Sequence, residues 1–250
     1  MTVSGISLVT PVLNEARTLN ETLESVLHQS IYPKEHIIVD SGSTDGSLDI
    51  IKRYSGRAPY TVRLITTPAE GVYAALNAGN AATTGEVIGL LHGDDAFSSH
   101  HVLEFISSAM TRDKDVELIY GDVHYINTRG QRTRYYSGAH FMPSTLLSGF
   151  AFPHPSMYIR RTLWQRIGTY DTRFRIAGDY EWIVRSTLKG RARTMYLPLD
   201  MVAMHEGGIA FRWSNRLRHN ISEKRRALHL NGYKAPLWRL MWRYLYLFRH

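Results

Sequence analysis

Residues 6–91 alternate short β-branched runs with stretches of helical periodicity, and this alternation restricts the fold more than any other feature. The pattern predicts strands at Ile6 to Val12, His36 to Val39, Val62 to Thr66 and Val87 to Leu91. Helices are predicted between them, at Ala16 to Gln29, Ser47 to Tyr54 and Val72 to Ala82. Strands separated by helices of this length need right-handed crossovers, which build a mainly parallel sheet covered by helices, an α/β fold. Ligands of such folds bind beyond the carboxyl ends of the strands. On that rule Thr10-Pro11, Asp40 and Asp94-Asp95 emerge on one rim.

The second half reads as mixed. A helix is predicted near His101 to Met110, with strands at Glu117 to Tyr120 and Val123 to Asn127 and a turn at Thr128-Arg129-Gly130. Further helices are predicted at Leu163 to Ile167 and Tyr180 to Leu188, and short strands at Arg193 to Leu197 and Met201 to Met204. From Arg212 two helical stretches follow, divided at Asn231-Gly232 and restarted by Pro236, a residue suited to a first helical turn. The expected organisation is one domain over 1–205, with halves 1–97 and 98–205, and a helical extension over 206–250.

The chain has 250 residues, 44% of them hydrophobic, enough for a substantial core. It has no cysteine, which excludes disulfides and thiolate metal sites. No basic-then-apolar leader and no apolar run of about 18 residues is present, so a cytoplasmic protein is expected. The net charge of +8 is concentrated at the end: residues 205–250 hold ten basic and two acidic side chains, whereas 1–204 are balanced. Such a tail suits an anionic partner, or a solvated helix face.

Asp94 and Asp95 stand where the apolar run of residues 87–91 breaks into His92-Gly93. Crowded carboxylates raise one another's pKa unless a cation or strong donors hold both ionised. Mg2+ or Mn2+ in phosphate-handling enzymes is typically held by one or two carboxylates plus substrate phosphates. An acid pair at a strand end also suits ordinary turn and helix-start chemistry, so the pair alone does not decide. The segment VDSGSTDG, Val39 to Gly46, places Asp40 at a strand end before small residues that let a ligand approach the backbone. It is neither a dinucleotide fingerprint nor a Walker loop, since GxGxxG and Gly-Lys-Ser/Thr are both missing.

Four segments in this order resemble the motifs of family-two inverting glycosyltransferases: TPVLNE (Thr10 to Glu15), VDSGSTDG, GVYAALNAGNAATTGEVIGLLHGDD (Gly71 to Asp95) and AGDYEW (Ala177 to Trp182). The resemblance covers roughly residues 5 to 205. It implies a GT-A fold and transfer from a nucleotide sugar, a UDP-sugar being favoured, with inversion at the anomeric carbon. By position it puts Thr10, Pro11, Asn14, Glu15, Asp40, Ser43 and Asn77 around the nucleotide, Asp94 at the ribose, and Asp95 on a Mn2+ or Mg2+ ion. His205 is implied near the metal or diphosphate, and His154 near the diphosphate or acceptor. Asp179 is implied as the base for the acceptor hydroxyl, with Glu181 as a fallback. Gly178 stands where the family often has a second acid, and Ala78 replaces a frequent lysine. The processive Gln-x-x-Arg-Trp signature is missing, Phe211-Arg212-Trp213 being a partial echo, so single additions are expected.

In the segment Pro236 to His250, Arg239, Arg243 and His250 fall on one helical stripe among aromatic and apolar residues. This composition suits the bilayer interface and a lipid-linked or glycan acceptor in polysaccharide assembly. Packing on the chain's own body, or on a second subunit in a homo-oligomer, remains open. Two other readings stand beside transfer: a catalytically silent nucleotide-sugar binder, and a nucleic-acid binder, the latter disfavoured by the balanced main body.

Overall fold

In the computed structural model the described residues are 5–206, 213–234, 236 and 238–240. The strands are β1 (Ile6–Val12), β2 (Glu35–Asp40), β3 (Thr61–Thr66), β4 (Val87–Leu90), β5 (Asp95–Phe97), β6 (Leu118–Ile126), β7 (Arg132–Tyr136), β8 (Tyr158–Arg160) and β9 (Thr194–His205). The helices are α1 (Leu19–Leu27), α2 (Ser47–Ser55), α3 (Val72–Ala81), α4 (Val102–Arg112), α5 (Arg161–Ile167), α6 (Gly178–Val184) and α7 (Trp213–Leu230). One mixed sheet runs β3-β2-β1-β4-β8-β6-β9-β5, and β7 adds to β6. The expected α/β architecture is therefore present.

The first four strands are parallel. β1, β2 and β4 are buried along their whole length, as expected for strands covered on both faces and written as β-branched runs. The edge strand β3 has only exposed and half-buried positions. Because the chain moves outward from β1 to β3 and then returns to β4 on the other side of β1, the order reverses between β1 and β4. A crevice opens at the carboxyl ends of strands flanking such a reversal.

β6 and β9 pair in parallel as long strands with register shifts near Asp122, so each joins two segments expected to be separate. β5 was not expected. It pairs antiparallel with β9 through Asp95 and Met204, which sets the acid pair beside His205. α6 continues into a π-helical turn over Arg185–Lys189.

α7 packs on α6 and buries Ala227 and Leu228, and Leu240 beyond the Asn231-Gly232 turn is buried too. The C-terminal extension thus contributes to the main core. Trp238, by contrast, is 66% exposed. Arg243 and His250, on which the amphipathic stripe depended, lie outside the described residues, as does the Phe211-Arg212 part of the partial processive echo. Among the described residues no helix is long and apolar enough to cross a membrane.

Candidate active site

The loops after β1 and β2 are stitched together by short polar side chains. Asn14 adopts the left-handed region at φ 57, where its Oδ1 accepts the Thr44 N–H (2.9 Å) while its own N–H donates to Ser43 Oγ (2.9 Å). Glu15 N–H donates to Ser47 Oγ (3.0 Å) and Ala16 N–H to Asp45 Oδ2 (2.9 Å). Asp40, buried at the end of β2, accepts the N–H groups of Gly42 (3.0 Å) and Ser43 (3.1 Å). The small residues of this motif fold a loop around the carboxylate, and its remaining lone pairs are free for a ligand.

Thr10 does not reach that rim. It is fully buried, and its Oγ1 meets His36 Nε2 at 2.8 Å. His36 Nδ1 lies 2.6 Å from Tyr54 Oη, which continues to Tyr60 Oη at 2.6 Å. Burial pushes His36 down to about 3, so this chain of polar groups is a neutral core network. The nucleotide contact expected of the Thr10 side chain is corrected by that burial. Pro11 presents its carbonyl towards Gly93, and a Cβ on Gly93 would stand 3.4 Å from that oxygen and 3.2 Å from Glu15 Cγ.

Glu15, Asp94 and Asp95 crowd this close approach. Asp95 is buried, and its Oδ2 has no hydrogen-bond partner. Burial first, then Asp94 and Glu15, hold the Asp95 carboxyl well above the usual range. Burial raises Asp94 too, and burial followed by Asp94 and Asp45 pushes Glu15 up to about 7. His205 places its Nδ1 2.8 Å from the Asp94 carbonyl, and its Nε2 lies 3.4 Å from Glu21 Oε2. An imidazole whose Nδ1–H is donated to a carbonyl presents Nε2 in the form that ligates a metal.

An orphaned buried carboxylate oxygen, acids that resist ionisation and an oriented imidazole fit a divalent cation. Among the described residues no three His, Asp or Glu side chains converge tightly enough to cage an ion alone.

A second group of polar side chains is built around Asp179 at the start of α6. Its Oδ1 lies 3.1 Å from Tyr73 Oη, whose hydroxyl also sits 2.8 Å from the Ile176 carbonyl. Its Oδ2 lies 3.1 Å from His154 Nδ1. His154 meets the ring of His92 edge-on at 5.6 Å. Burial, followed by the neighbouring His154, pushes His92 down to about 3, so it is a neutral imidazole. Gly178 is required here, because a Cβ would come within 2.7 Å of the Tyr73 ring. The space over the position where the family often has a second acid is filled by a tyrosine that hydrogen-bonds the first.

The segment leading to Asp179 is held from several distant elements. Asn77 bonds the Tyr170 backbone twice, Nδ2 to the carbonyl and Oδ1 from the N–H, both at 2.9 Å. This commitment corrects its expected nucleotide contact. Glu223 of α7 accepts the N–H groups of Arg175, Ile176 and Ala177 at 3.0, 2.9 and 2.8 Å. Glu181 is buried with both oxygens 3.0 Å from Arg185 and one 3.1 Å from Asn231 Nδ2. It faces the body of the protein, which corrects its expectation as fallback base or acceptor contact. Tyr73, His92 and Glu223 were not singled out from the sequence. Only the unusual Gly178 signalled that something else fills that space.

Residues 7–175 match the family model "Glycosyl transferase family 2". The chain belongs to this family. Among curated glycosyltransferases, the PGL/p-HBAD biosynthesis glycosyltransferase of Mycobacterium tuberculosis is 28% identical over 211 residues, covering 84% of this chain and 80% of the relative. Glycosyltransferase AglE of Haloferax volcanii is 27% identical over 210 residues, covering 82% and 67%. Among solved structures, Staphylococcus aureus TarS 1–349 in complex with UDP-GlcNAc superposes with a TM-score of 0.69 at 16% identity, over 92% of this chain and 65% of that one. Mannosyltransferase PcManGT from Pyrobaculum calidifontis, in complex with GDP-Man and Mn2+, gives 0.64 at 21% identity, over 93% and 66%. These similarities establish the GT-A fold for this family-two glycosyltransferase.

Proposed function

We propose that this glycosyltransferase moves a sugar, with inversion, from a nucleotide-sugar donor to a hydroxyl of a glycan or lipid-linked acceptor, one residue at a time, in polysaccharide assembly. The observation that carries the reading is the loop after β4. Asp94 on this loop and Asp95 at its end, the first residue of β5, meet Glu15 and His205, while His92, two residues before Asp94, leans on the His154–Asp179 pair. A site for a diphosphate and a site for proton removal thus share one short loop.

Asp95 and His205 would hold Mn2+ or Mg2+, which when bound would neutralise charge developing on the departing diphosphate. Asp40, Asn14 and Ser43 shape the loop for base and ribose, Pro11 and Glu15 line the same rim, and Asp94 lies on the ribose side. Inversion needs the acceptor proton removed on the face opposite the leaving group, which assigns proton removal to Asp179 and the groups bonded to it. A UDP-sugar is favoured as donor.

Calorimetric titration of UDP and GDP, with and without Mn2+, tests the reading: one nucleotide binds, and binding weakens strongly without the ion. Absent or metal-indifferent binding overturns it. The exposed Trp238 and Leu230, on a stretch that also carries the exposed Arg225, Lys234 and Arg239, support peripheral contact with anionic lipid. The double variant Trp238→Ser, Arg239→Glu is expected to lose co-sedimentation with vesicles containing phosphatidylglycerol. Unchanged sedimentation rejects that contact.

A further inference from the structure

We infer that His154, through Nε2, is the atom that takes the proton from the acceptor hydroxyl, and that Asp179 acts as its positioning residue. The inference rests on the transferase reading and names the base within it. Both oxygens of Asp179 already face donors, Tyr73 Oη at 3.1 Å and His154 Nδ1 at 3.1 Å. The carboxylate 3.1 Å from Nδ1 favours the tautomer that carries its proton there, leaves the Nε2 lone pair outward and faces the imidazolium once formed. The His154 side chain is one-third exposed, 33%, so a substrate hydroxyl can reach the ring.

The surroundings agree. The groups facing the pair are Asp179 from α6, Tyr73 from α3, His92 from the loop after β4 and Tyr170 from the segment before α6. None is a cation: His92 is held neutral by burial, and the two tyrosines are held protonated by burial. In the transfer step the acceptor O–H bond breaks and its electron pair forms the bond from oxygen to the anomeric carbon. The bond from that carbon to the diphosphate oxygen breaks, with its pair leaving on the diphosphate. The proton binds the Nε2 lone pair, giving an imidazolium held by Asp179.

The test uses the full chain with Mn2+ and two probe donors, UDP-GlcNAc and GDP-mannose, following nucleoside diphosphate release against pH. The wild type is expected to show an acid limb in the imidazole range, roughly pH 6–7. His154→Gln keeps an amide beside Asp179, yet is expected to lose about 10²-fold or more in kcat, keep the donor KM, and lose that limb. Asp179→Asn is expected to keep the limb but move it to lower pH. A wild-type limb in the carboxylate range, or a His154→Gln variant that keeps activity or the imidazole limb, overturns the inference and returns the base to Asp179. If neither donor is turned over, the transferase reading fails on these probes, and NMR titration of the histidine ring protons still decides the pair. The His154 ring, assigned by its loss in His154→Gln, must titrate at least about half a unit lower in Asp179→Asn. An unmoved titration overturns the inference.

Discussion

The two sides of the proposed site, a donor wall around Glu15, Asp94 and Asp95 and an acceptor wall around Asp179, meet opposite electrostatic problems. On the donor wall Glu15, Asp94 and Asp95 face one another with no lysine or arginine paired to them among the described residues, and all three carboxyls are raised. On the acceptor wall Asp179 already has a tyrosine hydroxyl and an imidazole on its two oxygens. The carboxyls of the donor wall have no lysine or arginine against them among the described residues, whereas Asp179 on the acceptor wall already has its neighbours in place. Catalytic groups gain most when their partners are fixed before the reaction, because no reorganisation is then needed.

Removing the acceptor wall's charge is expected to have the largest effect. Asp179→Asn should retain nucleotide binding and lose roughly 10² to 10⁴ in turnover. Near-normal kcat would mean that the preorganised wall is not the one that does the chemistry. Gly178→Ala tests how that wall is packed. The added methyl would sit 2.7 Å from the Tyr73 ring and displace its hydroxyl from Asp179. A loss of about tenfold in kcat, the scale of one hydrogen bond to a charged group, is expected with the nucleotide Kd unchanged. A weakened nucleotide Kd would show instead that Tyr73 serves both walls.

Glu223→Ala probes the same wall from a greater distance. It removes a carboxylate that accepts three backbone N–H groups just before Asp179, so both kcat and the melting temperature should fall, with about 1–3 kcal/mol of stability lost. Glu223→Gln, which keeps one acceptor oxygen, should recover part of each. Equal losses in the two variants would mean that the charge, rather than the bonding, holds the segment.

The same contrast explains what could be read from the sequence. The donor wall is assembled from residues that directly follow strands, and strand ends are visible because β1, β2 and β4 are buried β-branched runs. Asp40, Asp94 and Asp95 therefore announced themselves. The acceptor wall depends on contacts across long separations: Tyr73 lies 106 residues from Asp179, and Glu223 lies 46 to 48 residues from the groups it caps. Tyr73 reads as an ordinary core residue of an amphipathic helix, and Glu223 as a lone acid on a basic one. β5 escaped for a similar reason, since three residues beginning with an aspartate become a strand only through β9, more than 100 positions on. Thr10, placed by the strand-end rule as well as by resemblance, and Asn77 and Glu181, placed by resemblance, have side chains committed elsewhere. Each is consumed by a partner that no local pattern reveals.

The smallest expected effect is a stability difference that reports on the donor wall without any assay of transfer. Glu15 has a folded-state pKa of about 7, above its ordinary value of 4.5. A group raised in this way favours the fold when protonated, so its contribution is present below about pH 4.5 and fades as the pH rises through about 7. Glu15→Gln, permanently neutral, should therefore melt above the parent at pH 8 by a few degrees or less, and the gap should close by pH 4.5. His36 and His92 work in the opposite sense. Their pKa values are lowered to about 3, so their contribution is present above the ordinary value of 6.5 and is lost as the pH falls towards 3. Both imidazoles are common to parent and variant, so subtracting the two melting curves isolates Glu15. Adding Mn2+ with the nucleotide that binds should shrink the gap at pH 8, because the cation then stabilises the ionised cluster. A gap that ignores both pH and the ion would mean that Glu15 is already balanced, and that the donor wall is as complete as the acceptor wall.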